Sequence, residues 1–480
     1  MDAKKIFAGW AETSITPDKP ASLYGQFNQR ISECVKDPVT ATALAIGTEA
    51  DYAILVSCDI CTINRGMRER CRKEISKRIP DIDAKKVVFN ATHTHTAPSD
   101  KEGVYPPEPE GVMKPSEYAE FFIDRIAAVV GEAWKNRKQG LVGWAYGHAV
   151  VGHNRRTTYF DDISKRPEYK MMAGRIVNGT TSMYGKTDDS NFSHMEGYVD
   201  HSVETLFTWN KNGDLTGMII NLACPSQETE GASYISADFW HDIRTEVRRR
   251  CGRDLHILVQ CSAAGDQSPH RLLYRKAEDR MLQLRGTDMR QEISRRVADA
   301  VEEVIPYAKK DMRSNLPFKH AVKNVPLKKR MVTRKEMEDI KAEKKELEKW
   351  EPKNANEASI KFMSMNRCRR VLDRYKSQGK EPFMREELHM IRLGDIAFAT
   401  NRFELFLDYG LRIKARSPFV QTFVVQLAAG GENTGTYLPT EKAVKGRGYS
   451  AVIYDNEIGP EGGQQLVEVT LKTLKELWNG

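Results

Sequence analysis

Short, nearly uninterrupted apolar runs recur along this chain, separated by longer segments with helical spacing. Residues 43–46, 53–57, 87–89, 218–222 and 255–261 are such runs and read as buried strands. Residues 67–78, 237–250 and 288–307 read as helices among them. Residues 116–136 set Ala119, Phe122, Ile126, Val129 and Ala133 along one side of an amphipathic helix. Strands resume at 389–392, 396–400 and 420–427, and residues 462–477 close the chain as a helix. This alternation implies an α/β or α+β fold, with mixed β-sheets, flanking helices and loops left for chemistry. No internal repeat or flexible linker is evident, so residues 1–480 read as one domain.

The composition changes near Val325. Residues 333–350 are packed with Lys and Glu, with Met337, Ile340 and Leu347 as apolar points. Glu–Lys pairs at helical spacing support a solvated helix, and a second is expected over 358–378. Residues 325–380 therefore read as a charged helical hairpin inserted into the domain, shielding part of its core.

Four segments carry groups suited to catalysis. The first is Thr92-His93-Thr94-His95-Thr96-Ala97-Pro98, following a strand. In extended backbone, residues i and i+2 point to the same side, so both imidazoles can enter one cleft. Zinc takes neutral nitrogen ligands, and a catalytic ion keeps a position open for water. The alternative is a pair of histidines that only hydrogen-bond. The second segment is Gly265-Asp266-Gln267-Ser268-Pro269, where Ser268 stands like a loop nucleophile needing a base or a metal. It lacks the Gly-x-Ser-x-Gly elbow, which disfavours an α/β-hydrolase. Glu404 leaves another apolar strand, and a buried carboxylate there requires a partner or a metal. The glycine-rich tail around Tyr437 and Tyr449 has no nucleotide-binding pattern. His148, His153, Arg155 and Arg156 crowd a further loop, whose character suits a carboxylate-bearing or sugar-like substrate.

Other classes find little support. The net charge of +8 comes from dispersed Lys and Arg without aromatic interleaving, so no nucleic acid partner is expected. No run approaches the ~18 apolar residues of a membrane span, and the start lacks a signal-peptide core. Either a cytoplasmic or an exported location is compatible with this. The eight cysteines read as buried thiols. Cys58 and Cys61 form a lone C-x-x-C, with no second pair to complete a zinc knuckle and no redox context.

In order along the chain, the pieces resemble the catalytic domain of the neutral, non-lysosomal ceramidases. They are Gly9-Trp10-Ala11, Ile15-Thr16-Pro17, Tyr24-Gly25, Asp37-Pro38, Ser57-Cys58-Asp59, the histidine segment, Asn154-Arg155, the Ser268 segment, Gly394-Asp395-Ile396-Ala397, Tyr449 and Gly459-Pro460. The resemblance implies an amidase fold holding one zinc ion, without the family's immunoglobulin-like C-terminal domain. It puts His93, Glu404 and Tyr449 on the metal and Ser268 at the reacting carbonyl. It sets His95 and Arg155 on the substrate or the developing oxyanion, with Asp266 among the catalytic residues. Where the family has a second metal-binding histidine, this chain has Cys224, which either ligates the metal or is only a buried thiol. His201, His241 and His270 read as structural or substrate-facing.

The expected function is metal-dependent hydrolysis of an amide or ester in a polar or acidic substrate. A carbohydrate-active enzyme, using paired acids from Asp59, Asp238, Asp266 and Glu404 on a small-molecule or saccharide substrate, is the alternative. A non-catalytic binding protein with a decayed site is the third reading. Oligomeric state is not legible in the sequence.

Overall fold

The computed structural model describes residues 3–169, 177–430 and 437–480. Its main sheets fall into three units of identical topology. In the first, β1 (Phe7–Ser14), β2 (Thr40–Gly47) and β3 (Tyr52–Cys58) pair antiparallel in sequence. Helix α1 (Arg65–Arg78) then crosses over to β4 (Val87–Ala91), which lies parallel to β3, and α2 (Pro115–Lys135) follows. The second unit repeats this with β5 (Leu141–His148), β6 (Ser202–Trp209), β7 (Leu215–Leu222), α3 (Phe239–Cys251), a parallel β8 (His256–Cys261) and α4 (Met289–Lys310). The third has β9 (Phe318–Lys328), β10 (Phe383–Leu393), β11 (Ile396–Thr400), a crossover helix Leu407–Arg416, a parallel β12 (Gln421–Val425) and a closing helix Pro460–Asn479. The sequence shows no repeat because the units share strand order and not residues.

The units explain why the strands are apolar on both faces. Inward, Leu44, Leu55 and Val88 of the first sheet meet Leu206, Ile219 and Leu258 of the second and Ile391, Phe398 and Phe423 of the third in one common core. Outward, each sheet packs on its own two helices: Val56 and Phe89 on Ile75 and Phe122, Ile220 and Val259 on Ile243 and Val301, and Ala399 and Val424 on Ile413 and Leu471. The arrangement matches the expected mixed-sheet class with flanking helices.

Topology also dictates where a site can form. In each unit the first and third strands run the same way, and the fourth is parallel to the third. The ends of strands three and four, and the connection from strand one to strand two, therefore all emerge on one side. In the third unit that connection carries the charged hairpin, α5 (Arg334–Lys349) and α6 (Ala355–Ser377). Thr333 and Glu336 form a capping box on α5. β9 runs on to Lys328, so the insertion starts slightly later than the composition change suggests. A further helix, Arg275–Arg285, has no buried residue and hence no apolar stripe by which to find it.

Candidate functional site

A polar collar closes the common core where the strands end. Ser57 Oγ donates to Val259 O at 2.5 Å, and Asn90 Nδ2 donates to Ser57 Oγ at 3.2 Å. Asn221 Nδ2 donates to Val424 O at 2.9 Å, so the collar bonds all three units to one another. The candidate site lies just beyond it.

β4 stops at Ala91, and His93 adopts φ +68°, a left-handed conformation uncommon for histidine. A kink, and not the extended strand expected from the i, i+2 spacing, therefore brings the imidazoles together, with ring centroids 4.9 Å apart. His93 Nδ1 lies 2.8 Å from Cys61 O and 3.7 Å from Cys61 Sγ, while Nε2 lies 3.2 Å from Glu404 Oε2. Cys61 Sγ and one nitrogen on each of His93 and His95 all lie within 4.8 Å of one another.

The charged groups at this spot act on one another. Burial alone would raise the Cys61 thiol, but the imidazoles of His93 and His95 bring it down to about 6. Burial disfavours a charged His93, yet the Cys61 and Glu404 charges hold it well above the ordinary imidazole value. Burial also opposes ionisation of Glu404, and His93 and then Arg155 keep it below the ordinary carboxyl value. A buried imidazole with a thiol on one side and a carboxylate on the other is a place that could hold a cation.

His95 is clamped by second-rank groups. Gln227 Nε2 lies 2.8 Å from its Nε2, and Glu230 Oε2 lies 3.4 Å from its Nδ1. Glu230 also meets His270 Nε2 at 3.4 Å, so this carboxylate links two imidazoles. Beneath the ring is Gly25 at φ +118°, where an added Cβ would lie 2.4 Å from His95 Cγ. Only glycine lets the chain pass so close.

Arg155 is the hub on the opposite side. Buried, it donates to Tyr184 OH (3.3 Å), Gln227 Oε1 (3.2 Å), Gly265 O (3.0 Å) and Tyr437 OH (3.2 Å), and lies 4.0 Å from Glu404 Oε2. Its buried Nε has no partner among the described residues. Tyr437 and Tyr449 meet edge to face at 5.7 Å, and burial pushes both phenols up. Ser268 is buried and accepts from Tyr184 OH at 3.0 Å, so it reaches Arg155 through that tyrosine.

A cavity of about 1120 Å³ opens over Cys61, His93, His95, Glu404, Tyr437 and Tyr449. Arg155 and Ser268 are not part of its lining. Its far wall is the inserted helix α6, pinned by a bond from Asn366 Nδ2 to Gly103 O at 3.2 Å and by one from Gln29 N to Ser359 Oγ at 2.7 Å.

Several sequence expectations change. Cys224 is outside the thiol–imidazole group; its Sγ lies 3.5 Å from Pro225 O, and burial pushes its thiol well up. Asp266 accepts from Leu407 N at 2.9 Å, at the start of the crossover helix, and from Asn154 Nδ2 at 3.0 Å, and it does not line the cavity. Asp59 is taken by Arg244, at 2.7 and 3.0 Å, and Asp238 by the backbone N–H groups of Glu228, Thr229 and Phe239. Of the four acids proposed for a glycosidase pair, Glu404 alone lines the cavity, so the carbohydrate-active alternative lacks support. The charge of residues 148–156 is largely spent internally: Arg156 binds Glu196 and the carbonyls of Arg447 and Tyr449, and burial pushes His153 down to about 4. His201 packs near His153, with ring centroids 6.3 Å apart. Cys61 was hidden in the sequence as one of several buried thiols, although it follows its strand end much as Cys224 follows its own.

Comparison with known proteins identifies the fold. The crystal structure of neutral ceramidase from Pseudomonas aeruginosa aligns with a TM-score of 0.64 over 98% of this chain and 75% of that chain, at 14% identity. A ceramidase complexed with C2 aligns with a TM-score of 0.66 over 99% of this chain and 76% of that chain, also at 14% identity. No family model and no curated protein matches the sequence. The chain has a neutral-ceramidase-like fold.

Proposed function

We propose that this protein is a metal-dependent hydrolase of amide or ester bonds, acting on a polar substrate bearing an acidic group. The observation carrying this reading is His93, held between Cys61 and Glu404 with His95 alongside, on the floor of one large cleft.

The donor set suits zinc: a thiol of low pKa, two imidazoles and a carboxylate. Cys61, His93 and His95 would hold the ion, with Glu404, 3.2 Å from His93 Nε2, as a further ligand, and Tyr449 faces the same cavity. Cys61 takes the thiolate place that the sequence left open for Cys224. The carbonyl of Cys61 orients His93 through Nδ1, as metal-bound imidazoles are commonly oriented. When bound, the ion would lower the pKa of water and polarise a carbonyl.

The remaining groups support the cleft floor. Arg155, behind the cavity lining, donates to Tyr437 OH and lies 4.0 Å from Glu404, and its charge would favour negative charge forming on the reacting oxygen through them. Gln227 and Glu230 orient the His95 imidazole beside the ion. Ser268 belongs to the Arg155 network through Tyr184, and we assign it the attacking or supporting hydroxyl.

Metal analysis of the purified chain tests the reading, expecting about one zinc per chain, lost in His93→Ala and Glu404→Gln. Cobalt substitution adds a readout independent of turnover. A thiolate-to-cobalt charge-transfer band should vanish in Cys61→Ser and persist in Cys224→Ser. Absence of bound metal in the wild type, with hydrolysis of acyl-amide and ester probes indifferent to chelators, would reject it.

A further inference from the structure

The wall of the cleft supplied by α6 carries Arg367, Arg370 and Arg374 at helical spacing that gives them one face. The outer two are tied down. Arg367 pairs with Asp455 and sits over the Phe27 and Tyr449 rings at 4.9 and 5.6 Å. Arg374 donates to Asn456 O at 2.7 Å and to Ile453 O at 3.1 Å. Arg370, between them, lines the same cavity and has no hydrogen bond or ion pair among the described residues.

The nearest acids have partners of their own. Asp455 is engaged by Arg367, and Glu457 lies 3.3 Å from Arg402. Arg370 is exposed on the cleft wall, so its guanidinium donors are open to an incoming anion. Arg370 lies one turn, roughly 5 Å, along the helix from Arg367. Arg367 stacks on Tyr449, and Tyr449 on Tyr437, beside Glu404.

We propose that Arg370 is the anion subsite of this cleft, taking a carboxylate, phosphate or sulfate at the end of the substrate remote from the scissile bond. The subsite rests on the hydrolase reading for the position of that bond, but not for the binding itself. It belongs to the inserted hairpin, so substrate selection is assigned to the insertion and bond cleavage to the strand ends.

The test uses the full-length, metal-stripped chain and two probes, N-acetyl-6-aminohexanoate and its uncharged carboxamide, with affinity read by calorimetry. The acid should bind about tenfold or more tightly than the carboxamide, consistent with one charge-assisted contact. Arg370→Gln should erase that difference, Arg370→Lys should keep part of it, and Arg369→Gln should leave it intact. Arg370→Gln should melt no lower than wild type, because no intramolecular bond is lost. Equal binding of both probes to wild type overturns the proposal. So does an equal loss in Arg369→Gln and Arg370→Gln, which would mean diffuse attraction by the cleft. Because no metal is present, failure here leaves the hydrolase reading standing, and failure of metal binding leaves the subsite standing.

Discussion

Replacing Asp59 by asparagine separates a structural carboxylate from a catalytic one. Asp59 is fully buried at the end of β3, and its oxygens accept from Arg244 Nη1 at 2.7 Å, Arg244 Nη2 at 3.0 Å, Thr40 N at 2.9 Å and Thr40 Oγ1 at 3.1 Å. Arg244 belongs to α3, so the pair ties the first unit to the second. Asparagine removes the charge and turns an N–H₂ toward existing donors, leaving the buried guanidinium uncompensated. Breaking one side of a buried pair costs about 3–5 kcal/mol. An unfolding entropy of about 2.1 cal/mol/K per residue over 480 residues gives about 1 kcal/mol/K for a cooperative transition. The melting midpoint should therefore fall by about 3–5 °C. Differential scanning calorimetry supplies the midpoint, and metal content at a temperature well below it should stay at the wild-type value. An unchanged midpoint, with loss of turnover on an established substrate, would refute the structural assignment and return Asp59 to the catalytic acids.

Two further outcomes follow from the geometry. Gly25→Ala places a Cβ 2.4 Å from His95 Cγ at φ +118°, so the ring must move; chelator-competition titration should show metal affinity reduced about 10–100-fold, and unchanged affinity would detach His95 from the site. His320 and His389, linked by a 2.9 Å contact, are both pushed below the ordinary imidazole value, chiefly by burial. The unfolded chain then binds more protons than the native one below pH ~6.5, so their contribution is complete above that pH and is lost as pH falls through it. His93 and His270, raised in the fold, act with the opposite sign. Urea midpoints between pH 7 and 5 should therefore fall less steeply in His320→Asn than in wild type, and parallel slopes would refute the assignment.

Much of the site was legible because its groups follow apolar runs. His93, His95 and Glu404 stand just past strands that the sequence marks plainly, and they converge. Asp266 and Asp59 also follow strands, and in sequence they look the same as Glu404. A carboxylate closed by backbone N–H groups or by an arginine looks, in sequence, like an open one. Cys61 and Cys224 show the converse. Both are cysteines just past strand ends, and only the neighbours distinguish the thiol drawn down by imidazoles from the one raised by burial.

The sequence by itself determined the fold class, the charged hairpin and the most apolar strands, since periodicity and capping act over a few residues. It left the first strand of every unit, Phe7–Ser14, Leu141–His148 and Phe318–Lys328, unmarked. The tertiary structure alone decided the threefold recurrence, because strand order rests on pairings such as Phe318 with Leu393 that skip long stretches of chain. It also decided which charges meet the cleft. Arg156 is consumed by Glu196 and backbone carbonyls, whereas Arg370 faces the cavity without a counter-ion, and both are simply arginines in sequence. Whether a charge is spent or available depends on desolvation and on partners from distant segments, and these exist only once the chain has folded.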